Sequence, residues 1–138
     1  MEQQPLDRFS RATREWFSGA FQQPTAAQIG AWNAISSGQH ALVVAPTGSG
    51  KTLSAFLWSL DRLATTPRPD NPKHRTRVLY ISPLKALGVD VERNLRAPLV
   101  GITQTARRLS DAGLGADVPA ITVGVRSGDT TSADRRLL

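Results

Sequence analysis

The sequence predicts an α/β fold built on a parallel sheet. Three observations carry this. Segments with helical apolar spacing alternate with short apolar runs, in the order helix, helix, then strand-helix-strand-helix-strand-helix; parallel strands joined by right-handed crossovers give that order. The short runs, 41–45, 78–82 and 121–125, are rich in β-branched or apolar residues and bounded by turn residues, the pattern of strands buried on both faces. The first run leads through Pro46-Thr47-Gly48-Ser49-Gly50 straight into a helical pattern, a strand-turn-helix junction suited to holding phosphate.

Each element has its own justification. Pro5 to Phe17 places Leu6, Phe9, Thr13, Trp16 and Phe17 at helical spacing, and Gly19 stops that helix. Thr25 to Ser36 sets Ile29, Trp32 and Ile35 on one face and ends at Ser36-Ser37-Gly38. After the run Ala41 to Ala45, Lys51 to Leu63 turns Leu53, Phe56, Leu57, Leu60 and Leu63 inward. Residues 64–77 hold three prolines and five basic side chains including His74, which predicts a mobile surface loop. Val78 to Ser82 is the second strand. A helix from near Pro83 to about Leu109 follows, with a break allowed at Pro98. Ser110 to Pro119 is a glycine-containing loop, Ile121 to Val125 the third strand, and Thr131 to Leu138 a final helical start with Thr131 and Asp134 in capping-box positions. No internal repeat is visible.

Composition narrows the classes. The chain has 138 residues, 40% hydrophobic and 20% charged, which suits one globular domain or part of a larger one. The absence of cysteine rules out disulfides and thiolate metal sites. His40 and His74 stand far apart, so a histidine metal site is not expected. The polar N-terminus carries no signal-peptide pattern, and no apolar run is long enough to span a membrane; a soluble, cytoplasmic protein with no membrane partner is expected. Seventeen basic against eleven acidic residues give a net charge of +6. That excess fits a polyanion such as nucleic acid, or simply a basic surface.

The richest segment is Ala45-Pro46-Thr47-Gly48-Ser49-Gly50-Lys51-Thr52. Gly48 and Gly50 let the backbone turn so that successive N–H groups face one point, and the helix start adds its partial positive charge. Lys51 can reach β- and γ-phosphates, and the Thr52 hydroxyl can ligate Mg²⁺. Thr47 to Thr52 are therefore the expected cradle for a nucleotide's phosphates with Mg²⁺. Ala45 stands where the pattern has glycine; a methyl is tolerated there if φ is negative.

Upstream lies Phe21-Gln22-Gln23-Pro24-Thr25-Ala26-Ala27-Gln28. The Gln28 amide could pair with adenine N6 and N7 together, which guanine would not satisfy, with Phe21 or Trp16 against the base. Equally, Thr25 and Gln28 form a capping box and the aromatic residues are core.

In order along the chain, these segments resemble motifs of superfamily 2 helicases, the class of DEAD- and DEAH-box proteins. Phe21 to Gln28 resembles their Q motif, Ala45 to Thr52 motif I, and Ser82-Pro83-Leu84-Lys85-Ala86-Leu87 motif Ia. The resemblance is closer still to the large helicase-related (Lhr) family, through Trp32, Asp90, Glu92-Arg93-Asn94-Leu95 and Gly124-Val125-Arg126-Ser127-Gly128-Asp129-Thr130. It covers roughly residues 14–138. It implies a RecA-like P-loop NTPase domain, and ATP hydrolysis driving movement along single strands, typically of DNA, in repair or recombination. It implies adenine contact by Gln28, and phosphate contact by Pro83, Leu84 and Lys85 and by Arg126, Gly128 and Asp129. The residues agree: Lys85 at a helix start and Arg126 after a strand end both fall on the carboxyl edge of the sheet, where open parallel sheets place ligands.

The family's Asp-Glu motif II does not occur in these 138 residues. The resemblance therefore implies an N-terminal portion of the first RecA-like domain, truncated: residues 1–38 a helical Q-motif region and 39–138 the stretch from the P-loop to motif Ib, without motif II or the second RecA-like domain. Such a polypeptide is expected to bind nucleotide weakly and not to hydrolyse it. The alternatives are a nucleic-acid-binding module without catalysis, and a P-loop NTPase of another class.

Overall fold

The computed structural model describes residues 3–83, 85–115 and 118–138; Leu84 lies outside the described residues, as do the side chains of residues 85–90. The described residues form five helices, α1 Arg11–Ala20, α2 Ala26–Ser36, α3 Lys51–Thr65, α4 Lys85–Asp111 and α5 Ser132–Leu137, with a 3-10 turn at Pro72–His74; α5 buries no residue.

The helices pack in pairs. α2 lies on α3, α1 on α4, and α3 touches α4. The centre is aromatic: Trp32, Phe17 and Leu57 are fully buried among Phe9, Ile102, Ala106 and Leu109. Phe9 and Phe17 meet the Trp32 ring edge-on at 5.0 and 5.7 Å. Burying each such side chain stabilises by about 2–3 kcal/mol. The buried indole donates its N–H to the Leu53 carbonyl at 3.0 Å, so no polar atom there is orphaned.

Local chemistry sets the boundaries. α2 begins one residue after Thr25, whose capping box is fully formed. α1 starts later than its apolar spacing suggests, because Ser10 caps it by accepting from the Thr13 N–H; Leu6 and Phe9 pack from the turns ahead of it. Ser10 is itself held by the buried carboxylate of Asp61 on α3, which accepts from its N–H and hydroxyl. α3 runs two residues past Leu63. α4 continues through Pro98 without a break. Pro98 is buried in the same stripe as Leu95, Ile102, Ala106 and Leu109, so packing along the whole face outweighs the one lost backbone bond.

The predicted parallel sheet is where the structure departs from the sequence. Among the described residues none lies in a strand, and 41–45, 78–82 and 121–125 form no hydrogen-bonded ladder. Leu42 and Val44 are 91% and 86% exposed, Leu79 and Ile81 79% and 81%. The physical reason is that a strand gains its backbone bonds only from neighbours on both sides, and a parallel sheet stands only with both faces covered. Helices form from contacts within four residues and need no such partner.

Candidate nucleotide and nucleic-acid site

The site is built around the start of α3. Gly48 and Gly50 adopt positive φ, +84° and +75°, as the turn requires, while no described non-glycine residue does; Ala45 is thus tolerated with its methyl. Gly50 occupies the N-cap position of α3 and has no side chain with which to cap it. The first N–H groups of a helix lack intrahelical partners, so those of Lys51, Thr52 and Leu53 are left to an external acceptor. There is no acidic residue in this first turn, and Lys51 is exposed beside it. Such a start attracts an anion through both its N–H groups and its dipole. The donor set fits a polyphosphate. The loop closes on itself through Ser49, whose N–H donates to the Pro46 carbonyl at 3.2 Å and whose hydroxyl also contacts that carbonyl.

α2 grips this loop from behind. The Thr25 hydroxyl donates to the Ser49 carbonyl at 2.8 Å. The Gln28 amide N–H donates to the Gly50 carbonyl at 3.3 Å, while its oxygen accepts from the Thr25 N–H at 3.0 Å. The Gly50 carbonyl also accepts from the Ser54 N–H and hydroxyl, at 3.0 and 3.1 Å. With the Ser49 and Gly50 carbonyls tied back, what the turn leaves for a ligand is the N–H groups at the start of α3. Gln28 is 4% exposed. The capping-box reading of Thr25 and Gln28 is therefore realised, and the structure brings both residues to the phosphate loop itself. The grip on Ser49 and Gly50 has no local sequence signal, because it joins residues 22 to 24 apart.

Phe21 lies tilted on Phe17 at 4.8 Å and edge-on to Trp16 at 6.0 Å, yet remains 42% exposed. One side of its ring belongs to the core and another is available. Trp16 is wedged against α4, since a Cβ on Gly101 would lie 2.0 Å from its indole nitrogen; it serves packing.

Pro83 is exposed and Lys85 opens α4. Arg126, Gly128 and Asp129 are exposed on a turn before α5. That turn is fastened by a residue the sequence reading passed over. The Arg135 guanidinium donates to the Ser127 and Gly128 carbonyls at 3.3 and 3.0 Å, and the Thr130 hydroxyl accepts from the Ser127 N–H at 2.8 Å. Nothing in the local pattern marks an arginine eight residues downstream for this task. Among the described residues, no group of three or more His, Cys, Asp or Glu is placed to hold a metal. Nor is any helix among the described residues long and apolar enough to cross a membrane.

The pattern of the DEAD/DEAH box helicase family matches residues 25–125. The chain is 61% identical to an Lhr helicase of Mycolicibacterium smegmatis, over 97% of its own length and 8% of that protein's. It is 48% identical to the Lhr helicase/uracil glycosylase of Escherichia coli, over 96% and 8%, and 38% identical to the ATP-dependent helicase Lhr-Core of Methanocaldococcus jannaschii, over 91% and 14%. The chain thus spans a small part of these relatives' lengths. Its structure resembles that of Mycobacterium smegmatis helicase Lhr bound to ssDNA and AMP-PNP, with a TM-score of 0.84 and 59% identity, covering 98% of this chain and 16% of that one. The backbone path is thus that of a helicase domain. With the family pattern covering most of its length, this chain belongs to the DEAD/DEAH box helicases.

Proposed function

We propose that this chain is the N-terminal, nucleotide-holding portion of the first RecA-like domain of an ATP-dependent DNA helicase of the Lhr type. Residues 1–38 form its Q-motif region and 39–138 run from the phosphate loop to the Arg126 turn. The observation that carries the reading is the start of α3: a helix with no side-chain cap, two positive-φ glycines and an exposed Lys51, its loop gripped by Thr25 and Gln28. The relative solved with an ATP analogue and single-stranded DNA supports both ligands.

In this reading the segment from Thr47 to Thr52 cradles the phosphates of ATP, chiefly through the open N–H groups at the start of α3, Lys51 would neutralise the charge that grows on them during transfer, and the Thr52 hydroxyl would hold Mg²⁺. Phe21 and Gln28 meet the adenine. Pro83, Leu84 and Lys85, with Arg126, Gly128 and Asp129, contact strand phosphates, which positions the protein without reading sequence. Segments 41–45, 78–82 and 121–125 are the strands of the parallel sheet, completed by neighbours outside residues 1–138. The carboxylates of an Asp-Glu pair must also come from outside, so residues 1–138 alone bind nucleotide without turnover.

The test is strand-stimulated ATPase activity of the gene's full product, with a fluorescent ATP analogue to measure binding. Lys51→Ala should abolish turnover, and Lys85→Ala should weaken single-strand affinity equally for all sequences. Strand binding with steep salt dependence and no response to nucleotide would overturn the motor reading in favour of a binding module.

A further inference from the structure

The charge of this chain is not spread evenly. Residues 66–77 contain Arg68, Lys73, Arg75 and Arg77 against Asp70 alone, a net +3 (four minus one) of the chain's +6. All five side chains, and that of His74, are exposed. The ion pairs Arg11–Glu15 and Arg108–Glu15 lie on other elements.

The segment is shaped rather than slack. Asn71 caps the 3-10 turn Pro72–His74 by accepting from the Lys73 N–H at 3.0 Å. Arg75 folds back and donates to the Pro69 and Asp70 carbonyls, both at 3.0 Å. Three prolines, Pro67, Pro69 and Pro72, restrict the backbone further. One arginine thus holds the loop, leaving Arg68, Lys73 and Arg77 at its surface. The segment contains no Val, Ile, Leu, Met, Phe, Tyr or Trp. Without aromatic or aliphatic anchors its surface offers a partner cations alone, which is what a phosphodiester backbone takes.

Its position separates it from the site described above. It follows the far end of α3, whose fifteen residues carry it ~22 Å from the phosphate loop. It also enters segment 78–82 at the end opposite Pro83 and Lys85.

We propose that the 66–77 loop is a second nucleic-acid contact, taking the phosphates of a duplex arm that flanks the bound single strand. This rests on the helicase reading, and the experiment separates the two. The gene's full product is titrated, at several salt concentrations, with a fluorescent duplex carrying a single-stranded tail and with the tail strand alone. The triple variant Arg68→Gln/Lys73→Gln/Arg77→Gln, which spares Arg75, should bind the tailed duplex about tenfold more weakly, with a salt slope reduced by about 3. Its affinity for the tail alone and its strand-stimulated ATPase should stay as in the parent. Asp70→Asn, which removes the loop's one negative charge, should tighten binding to the tailed duplex, a gain that misfolding cannot mimic. Unchanged binding of the tailed duplex by both variants would overturn the proposal and leave the loop to solvent or to an acidic protein. Equal loss on both probes would overturn it too, by merging the loop with the single-strand site. Failure of the parent protein to bind either probe would bring down the helicase reading and this inference with it.

Discussion

Two helix starts lie against each other in this protein, and they are finished in opposite ways. α2 is closed by its own side chains: Thr25 accepts from the Gln28 N–H, and Gln28 answers by accepting from the Thr25 N–H. α3 opens on a glycine with no side-chain cap at all. Glycine at an N-cap gives up only about a few tenths of a kcal/mol relative to a capping side chain, but it leaves the first N–H groups of α3 without a side-chain acceptor. The contrast is between a helix start closed by its own side chains and one whose first N–H groups are left open. The capped start then serves the uncapped one, since its two capping residues also tie down the Ser49 and Gly50 carbonyls.

The sharpest way to break this contrast is to remove the cation at the open start. Lys51→Ala should lower ATP turnover in the gene's full product by about 100-fold or more, on the scale of a lost charge-assisted contact to a transferring phosphate. Melting temperature should hold, because Lys51 is exposed; a drop in both would make it a structural residue. Next comes the hinge between the two starts. A Cβ on Gly50 would lie 2.2 Å from the Gln28 amide nitrogen, at a φ of +75°. Gly50→Ala should therefore cost about 1–3 kcal/mol of stability as well as nucleotide affinity. Chemical denaturation checks the first, and a melting curve identical to the parent's would show that the grip yields without cost.

A finer test separates the two duties of Gln28. Gln28→Glu keeps the acceptor for the Thr25 N–H but sets an acceptor against the Gly50 carbonyl. Stability should fall by about 1–2 kcal/mol, and the preference for ATP over GTP should narrow. If stability falls while base preference is untouched, Gln28 is a cap and a clamp and not an adenine reader. The smallest expected effect is at the other end of the chain. Arg135→Ala releases the Ser127 and Gly128 carbonyls and should weaken single-strand binding severalfold with little change in stability, because α5 buries no residue.

Much of this was legible in the residues. The Thr25 capping box, the positive-φ turn at Gly48 and Gly50 and the Thr131 cap of α5 are each legible within a few neighbouring positions, and the structure has each of them there. The family was legible too, because its motifs keep their order along the chain. Less so was α1, whose start moved because a buried carboxylate on α3, 51 residues away, holds Ser10 in place. Arg135 was passed over for the same kind of reason.

What the sequence determined by itself, then, is whatever closes within about one helical turn: caps, positive-φ glycines and the repeating steps of amphipathic stripes. Tertiary structure alone decided that α4 runs through a buried Pro98, that Gln28 and Thr25 clamp the Ser49 and Gly50 carbonyls, and that Arg135 fastens the turn at Ser127. It also decided that three apolar segments with the pattern of strands carry no ladder within the described residues. The reason is one of range. A helix satisfies its backbone from within, so its presence is legible locally even where distant contacts set its ends, whereas a strand borrows every bond from a neighbour that its own residues do not contain.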